Sequence, residues 1–475
     1  MTNSRQTTDL ALASAVDLAR MVRAGEVSPV EILDAVYDRI KTLDSRVNAF
    51  CALTEESARA HARAAEAQVA AGSPLGPLHG VPVSIKDLLL TRGVRTMRGS
   101  AVYADFVPQE NAPAVDLIQA AGAIVIGKTT TPELGWKGVT DSPVTGVTRN
   151  PWNLDLTPGG SSGGAAVAVA LGMGPLAVGT DGGGSIRIPA SFTGVFGLKP
   201  SFGRVPVFPP SAVGVMSHVG PIAFSVRDAG LMLNGMTGAD VRDPFSLPAN
   251  GMDYLAACDG GAQCLRVAWS PTLGYAPVDL EVRTLCERAA RVFADELGCV
   301  VEEADPGFAN PAPFFKLLWA CGLGAAVRDY FPAWAERMDP GLVAMVREYD
   351  VASAAELAGA HAERLKLYDV LRRFFERYDL LLTPTMPTTA WKAGVPIPVE
   401  IAGGSTAEFR YTPFTFPFNM SGHPAASVPC GLASSGMPVG LQIVGRRWAD
   451  AQVLRAAAAF EEARPWPRPP MSRTA

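Results

Sequence analysis

The chain has 475 residues, 48% of them hydrophobic and 18% charged, enough for a sizeable core and too apolar for an intrinsically disordered protein. Its formal net charge of -5, with Lys and Arg scattered among the acids, offers no basic stripe for a phosphate backbone, so a nucleic-acid partner is not expected. Seven dispersed cysteines without a C-x-x-C pair point to reduced thiols, not to a disulfide framework or a zinc site.

The opening MTNSRQTTDL lacks the basic and apolar regions of a signal peptide. No apolar run reaches the roughly 18 residues of a membrane span. The expectation is a soluble cytoplasmic protein with no membrane partner.

The first helix announces itself at Ser28-Pro29-Val30-Glu31, a capping box with Pro at the first helical position, followed by Ile32, Leu33, Val36, Ile40 and Leu43 at helical spacing. An Ala-rich helix covers residues 55–71, and Gly72 to Pro77 then breaks the chain. GVPVSIKDLLL reads as a strand with one cation, Lys86, in its middle. On its own the segment suggests a surface Lys, since Lys is seldom buried without a purpose. A helix over 113–121 and a strand over 123–127 come next, and then irregular text up to Pro151.

Residues 158–200 carry two serine-bearing glycine clusters, Gly159-Gly160-Ser161-Ser162-Gly163-Gly164 and Gly182-Gly183-Gly184-Ser185. The first runs into a buried-helix start and the second follows a plausible strand. A serine after a glycine loop at a strand end is where a nucleophile would be exposed. Text from Pro200 to Pro221 reads as loop. A helix from Val226, strands over 265–269 and 299–303 and a helix over 278–297 follow; this alternation argues α/β with a mixed or largely parallel sheet. Residues 311–378 read as mainly helical, and strands over 379–383 and 439–444 and a helix over 449–463 close the fold.

Three chemistries compete for the glycine clusters. Gly160 to Gly164 is a literal G-x-S-x-G, which would make Ser162 the nucleophile of a His-dependent α/β-hydrolase; such a fold needs a later acid and His, and His218, His361 and His423 lack an obvious partner. A phosphate cradle fits poorly, because no G-x-x-x-x-G-K-[ST] occurs and the glycines miss the dinucleotide fingerprint. The third reading joins Lys86, Ser161 and Ser185.

GVPVSIKD, PGGSSGG and GTDGGGSIRIPASFTGVFGLKPS resemble the diagnostic blocks of the amidase signature family, serine hydrolases with a Ser-Ser-Lys triad. GAIVIGKTT, TRNPWN, the Phe416 to Pro424 run and GLQIVG resemble it as well, and the two serines stand 24 positions apart as in the family. The resemblance implies that Ser185 is the nucleophile, Ser161 a bridging serine after a cis peptide bond, and Lys86 the base. Gly182, Gly183 and Gly184, with the Ser185 N–H, would face the developing oxyanion. Gly135 and Trp136 align with the family's acyl channel and are candidates for substrate binding. Arg187 and Asp181 read as a buried ion pair that holds the loop. A Ser hydroxyl needs a base, and Lys serves only when neutral, so the site must bring it down from about 10.4 toward 7 to 8.

The implied fold is a single α/β domain over residues 1–475, a central mixed β-sheet sandwiched by helices. Its core signature region would cover about 80–230, and a helical substrate-covering region about 305–378. The implied reaction is amide hydrolysis through an acyl-enzyme, without metal or cofactor, by a protein that, like several members, could pair as a homodimer. Trp136, Phe314, Phe315, Trp319, Phe331 and Trp334 suggest a bulky apolar or aromatic small-molecule amide of the anilide type, with carbamates or esters of like shape also open; Cys321 lies in the same region. The alternative is a glutamine-hydrolysing amidotransferase of the A type, working within a complex. Those proteins hold glutamine with an acidic residue at the place taken here by Thr412.

Overall fold

The computed structural model describes residues 9–406 and 411–473. The expectation drawn from MTNSRQTTDL rests mostly on residues 1–8, which lie outside the described ones. Among the described residues no helix is long and apolar enough to cross a membrane.

One mixed sheet of eleven strands forms the centre. Its order is Phe50–Leu53, Ile124–Thr129, Pro82–Lys86, Leu176–Asp181, His218–Ala223, Phe196–Lys199, Ala425–Leu432, Pro438–Gly445, Leu380–Pro384, Arg266–Trp269 and Val300–Glu303. Pro82–Lys86 runs parallel to both neighbours, with Ile85 facing Lys128 on one side and Val178 on the other. Helices cover both faces, which is why these inner strands are nearly continuous apolar text. Alternation along a strand assigns side chains to the two layers. Val178 and Ala223 join the core under the helices Val226–Asn234, Leu280–Asp295 and Asp450–Ala463. Their neighbours Ala177 and Ile222 pack with the helix Gly163–Ala170 on the opposite face. Each fully buried Val, Leu or Ile contributes about 1.5–3 kcal/mol.

The helix Pro29–Val47 starts at the expected capping box: Ser28 Oγ accepts from Val30 N–H at 3.0 Å and Glu31 accepts from Ser28 N–H at 2.8 Å. Residues 311–378 form the helices Ala312–Val327, Phe331–Trp334, Pro340–Tyr349 and Ala354–Arg377, packed through Phe315, Leu323, Leu342 and Leu371 onto Phe416 and Phe418.

Two expectations need correction. Lys86 ends its strand instead of sitting in its middle, because the chain turns at Asp87, whose N–H bonds to the Thr129 carbonyl. The text read as loop up to Pro221 contains the buried strand His218–Ala223, which pairs with Leu176–Asp181 along its whole length. Pro221 argues against a central strand because it has no N–H to give. The ladder to Phe196–Lys199 involves only Ala223 and Ile222, so it stops just short of Pro221.

Candidate active site

The parallel strands Pro82–Lys86 and Leu176–Asp181 end side by side, and the carboxyl ends of parallel strands are where α/β sheets receive ligands. Lys86 closes one strand; Thr180 and Asp181 close the other and lead into the Gly182–Ser185 loop. Ser161 reaches the same place from the turn that opens the helix Gly163–Ala170, and the Gly160–Ser161 bond is cis. Lys86 Nζ lies 2.7 Å from Ser161 Oγ and 2.8 Å from Thr180 Oγ1.

Lys86 is 0% exposed, and burial pushes its ammonium well below the ordinary lysine value. The charge of Asp181 pulls the other way, yet that carboxylate is committed elsewhere. Burial raises Asp181, but the charge and hydrogen bonds of Arg187, aided by Lys199 and Asn419, outweigh it and hold the carboxyl well below the usual range.

Arg187 donates to both Asp181 carboxylate oxygens at 2.9 Å, and also to Gln442 Oε1, Asn419 Oδ1 and the Thr415 carbonyl. Asp181 accepts from Gly184 N–H at 2.7 Å and Ile186 N–H at 3.2 Å, so the loop is tied at both ends to one buried ion pair. This corrects the expected set of oxyanion donors. The Gly184 N–H is turned into the protein, while the N–H groups of Gly182, Gly183 and Ser185 have no acceptor among the described residues.

Ser161, Ser185, Thr180, Gly182 and Gly135 share a cavity of about 200 Å³. Gly135, at φ +71°, must lack a side chain: a Cβ there would meet Leu88 at 2.8 Å and Ser161 Oγ at 3.1 Å. A Cβ on Gly182 would meet the Trp319 ring at 2.8 Å, so the loop lies directly against that indole. Ser162 does not open on the cavity; its hydroxyl donates to the Thr180 carbonyl at 3.1 Å.

No histidine lines this cavity. His218 is buried with Nδ1 at 2.8 Å from the Met216 carbonyl, and burial, with the charge of Lys199, holds it well below its ordinary value. His423 is pushed down to about 3 by burial, and His361 is exposed. A Ser162–His hydrolase therefore has no base.

Of the aromatic candidates, Trp319 walls the main cavity, and Trp136, Phe315 and Trp319 line an adjoining cleft that reaches Ser185 and Thr412. Trp136 is mostly core, and its carbonyl accepts from Trp319 Nε1 at 3.1 Å. Phe314 and Trp334 pack against the helical core without lining either space, and Phe331 and Cys321 border a different cavity of about 460 Å³ within the helices.

The Amidase family model matches residues 31–454. The chain belongs to the amidase family. It is 39% identical to an acylamidase of Rhodococcus erythropolis, over 95% of this chain and 96% of that one. It is 36% identical to the A component of the glutamyl-tRNA(Gln) amidotransferase of Moorella thermoacetica, over 96% and 97%. The structure of a bacterial aryl acylamidase of the amidase signature family superposes with a TM-score of 0.91 at 34% identity, covering 96% of this chain and 97% of that one. As an amidase-family enzyme the protein is a hydrolase of amide C–N bonds, built on a single mixed α/β domain.

Sequence reasoning missed Thr180, the second partner of Lys86. Nothing in GTDGGGS marks that threonine apart from its place beside the glycine loop.

Proposed function

We propose that this amidase hydrolyses a linear amide with an apolar or aromatic group, of the acyl-arylamide type, through an acyl-enzyme on Ser185. The observation that carries this reading is the 2.7 Å contact of Ser161 with Lys86, whose burial pushes its ammonium well below the ordinary lysine value. A neutral amine has two N–H donors and one lone pair. Thr180 takes one donor, and the lone pair can accept the Ser161 proton.

In the first step the Ser185 oxygen bonds to the amide carbon while its proton passes to Ser161, whose own proton passes to Lys86. The carbonyl π pair moves onto oxygen, toward the N–H groups of Gly182, Gly183 and Ser185, each worth typically about 3 kcal/mol of barrier. Collapse breaks the C–N bond, and the proton held on Lys86 returns through Ser161 to the leaving amine. Water then repeats the sequence on the ester, releasing the acid and restoring Ser185. Gly135 leaves the space beside Ser161 open for the substrate, and the helical region 305–378, through Trp319 and Leu323, forms the cover.

The arylamide preference rests on the likeness to the two acylamidases and on the aromatic walls at Trp319, Trp136 and Phe315. The likeness to the amidotransferase A component favours a second reading, glutamine hydrolysis. Thr412, at the cleft that reaches Ser185, has no charge with which to hold the glutamine α-amino group. Purified protein tested on acetanilide, a long-chain amide, a phenyl carbamate and glutamine separates these readings: anilide turnover is expected, and ammonia release from glutamine as the fastest reaction would replace the reading.

A further inference from the structure

Among the described residues, the cavity that holds Ser161 and Ser185 contains one charged side chain that the mechanism does not use, Arg98. Among the described residues no Asp or Glu lines the cavity and no ion pair involves Arg98. Its guanidinium carbon sits 4.8 Å from the Tyr103 ring centroid and 5.8 Å from that of Phe106. Its Nε is buried without a hydrogen-bond partner among the described residues. Guanidinium prefers a planar, bidentate acceptor, and one left without an acceptor at a cavity wall is a binding group in waiting.

The backbone gives Arg98 its direction. The residue adopts φ 53°, a left-handed conformation uncommon outside glycine, and non-glycine residues in such positions cluster at ligand sites. It is fixed there by hydrogen bonds of its N–H to the Asp87 carbonyl and Oδ2, both 3.1 Å, and of its carbonyl with Leu134 N–H at 2.8 Å. Asp87 follows Lys86 directly, so the base and the arginine are set on one short frame. Tyr103 and Tyr330, which also line the cavity, bring their hydroxyls within 3.5 Å of each other and supply neutral donors near the guanidinium.

The geometry points to a substrate that carries a carboxylate remote from the scissile bond, bound by Arg98 with the Tyr103 and Tyr330 hydroxyls. This deepens the amidase reading and rests on it: the substrate class is an amide of an aromatic or apolar body with an anionic end, such as an N-acyl aminobenzoate or an anilide of a dicarboxylic acid.

Matched substrates test it. Nitro is a planar, neutral counterpart of carboxylate, so 4-acetamidobenzoate is compared with 4-nitroacetanilide, and succinanilic acid with butyranilide to place the acid on the acyl side. Intrinsic reactivity cancels when wild type and variant are compared on each substrate. Arg98→Gln should lower kcat/KM for an anionic member at least about tenfold more than for its neutral partner, as the loss of a charge-assisted hydrogen bond requires, and Arg98→Lys should recover part of it. Activity on the neutral members reports that each variant is folded. Calorimetry on unaltered protein needs no variant: benzoate should bind at least about tenfold more tightly than nitrobenzene. Neutral amides cleaved with equal losses for both members of each pair, or equal binding of benzoate and nitrobenzene, would overturn the proposal and leave the amidase reading standing. Preferential benzoate binding by a protein that cleaves no amide would keep the anion site and overturn the amidase reading.

Discussion

Thr180 Oγ1 lies 2.8 Å from Lys86 Nζ, reaching across from the neighbouring parallel strand. The contact leaves Lys86 one fewer way to turn and fixes where its lone pair can face. Thr180→Val keeps the volume and removes the acceptor, so kcat should fall on the order of 10²-fold, the usual cost of a misaimed catalytic group, with little change in KM. Thr180→Ser should retain most of the rate. Steady-state kinetics on one anilide decides this; a valine variant with wild-type kcat would remove Thr180 from the machinery.

In the proposed mechanism Lys86 sets the pH dependence. Burial lowers its folded value well below 10.5, so protonation switches the base off on the acid side and the rate rises with pH to a plateau. The same lowering means that the unfolded chain binds this proton more readily than the folded one. The Lys86 contribution to stability therefore improves as pH rises from the folded value toward the unfolded value. Lys86→Ala should cost about 10²–10⁴-fold in kcat/KM and abolish the acid limb, and a pH profile of both proteins reads this directly. An unchanged limb in the alanine variant would assign it to another group.

Ser185→Ala should abolish hydrolysis while melting as the parent does, because the change removes one hydroxyl from a small side chain that lines the cavity. A fluorophosphonate should add one label to the wild-type protein, at Ser185 by peptide mapping. Labelling at Ser162 would contradict its hydrogen bond to the Thr180 carbonyl.

Arg187→Met leaves the buried Asp181 carboxylate without its cation. Breaking a buried pair from one side costs about 3–5 kcal/mol, visible as a lower urea midpoint. Activity should fall with it, since Gly184 and Ile186 hang on the same carboxylate. A variant of unaltered stability would mean that the pair adds nothing to the fold.

Much of the site is legible in the sequence because glycine is an unusual choice. Two clusters around Ser161 and Ser185 cost entropy that only close backbone approach or exposed donors could offset, and Lys86 is the one cation of its apolar strand. Asp181 and Arg187 are readable as a pair from their spacing around the loop. Thr180 is not, because a threonine in a strand is ordinary. Arg98 is hidden for a different reason: its left-handed backbone is a property of the loop that Asp87 and Leu134 hold, not of the residue type. The strand His218–Ala223 is masked by Pro221, whose missing donor matters only where a ladder needs it, and the ladder to Phe196–Lys199 ends at Ile222. The glycine block also does not show that Gly184 spends its N–H on Asp181, a fact of tertiary packing alone.

The hydrogen bond from Arg187 to Gln442 joins residues 255 positions apart, and those to Thr415 and Asn419 are nearly as long in sequence. At ribosomal speeds of about 5–20 residues per second, roughly ten to fifty seconds separate the emergence of the reactive loop from that of its last brace. A nascent chain halted after Ser185 but before Pro438–Gly445 therefore carries both serines and the lysine without the Gln442 brace on Arg187. The reactive loop is thus written early in the chain and braced late.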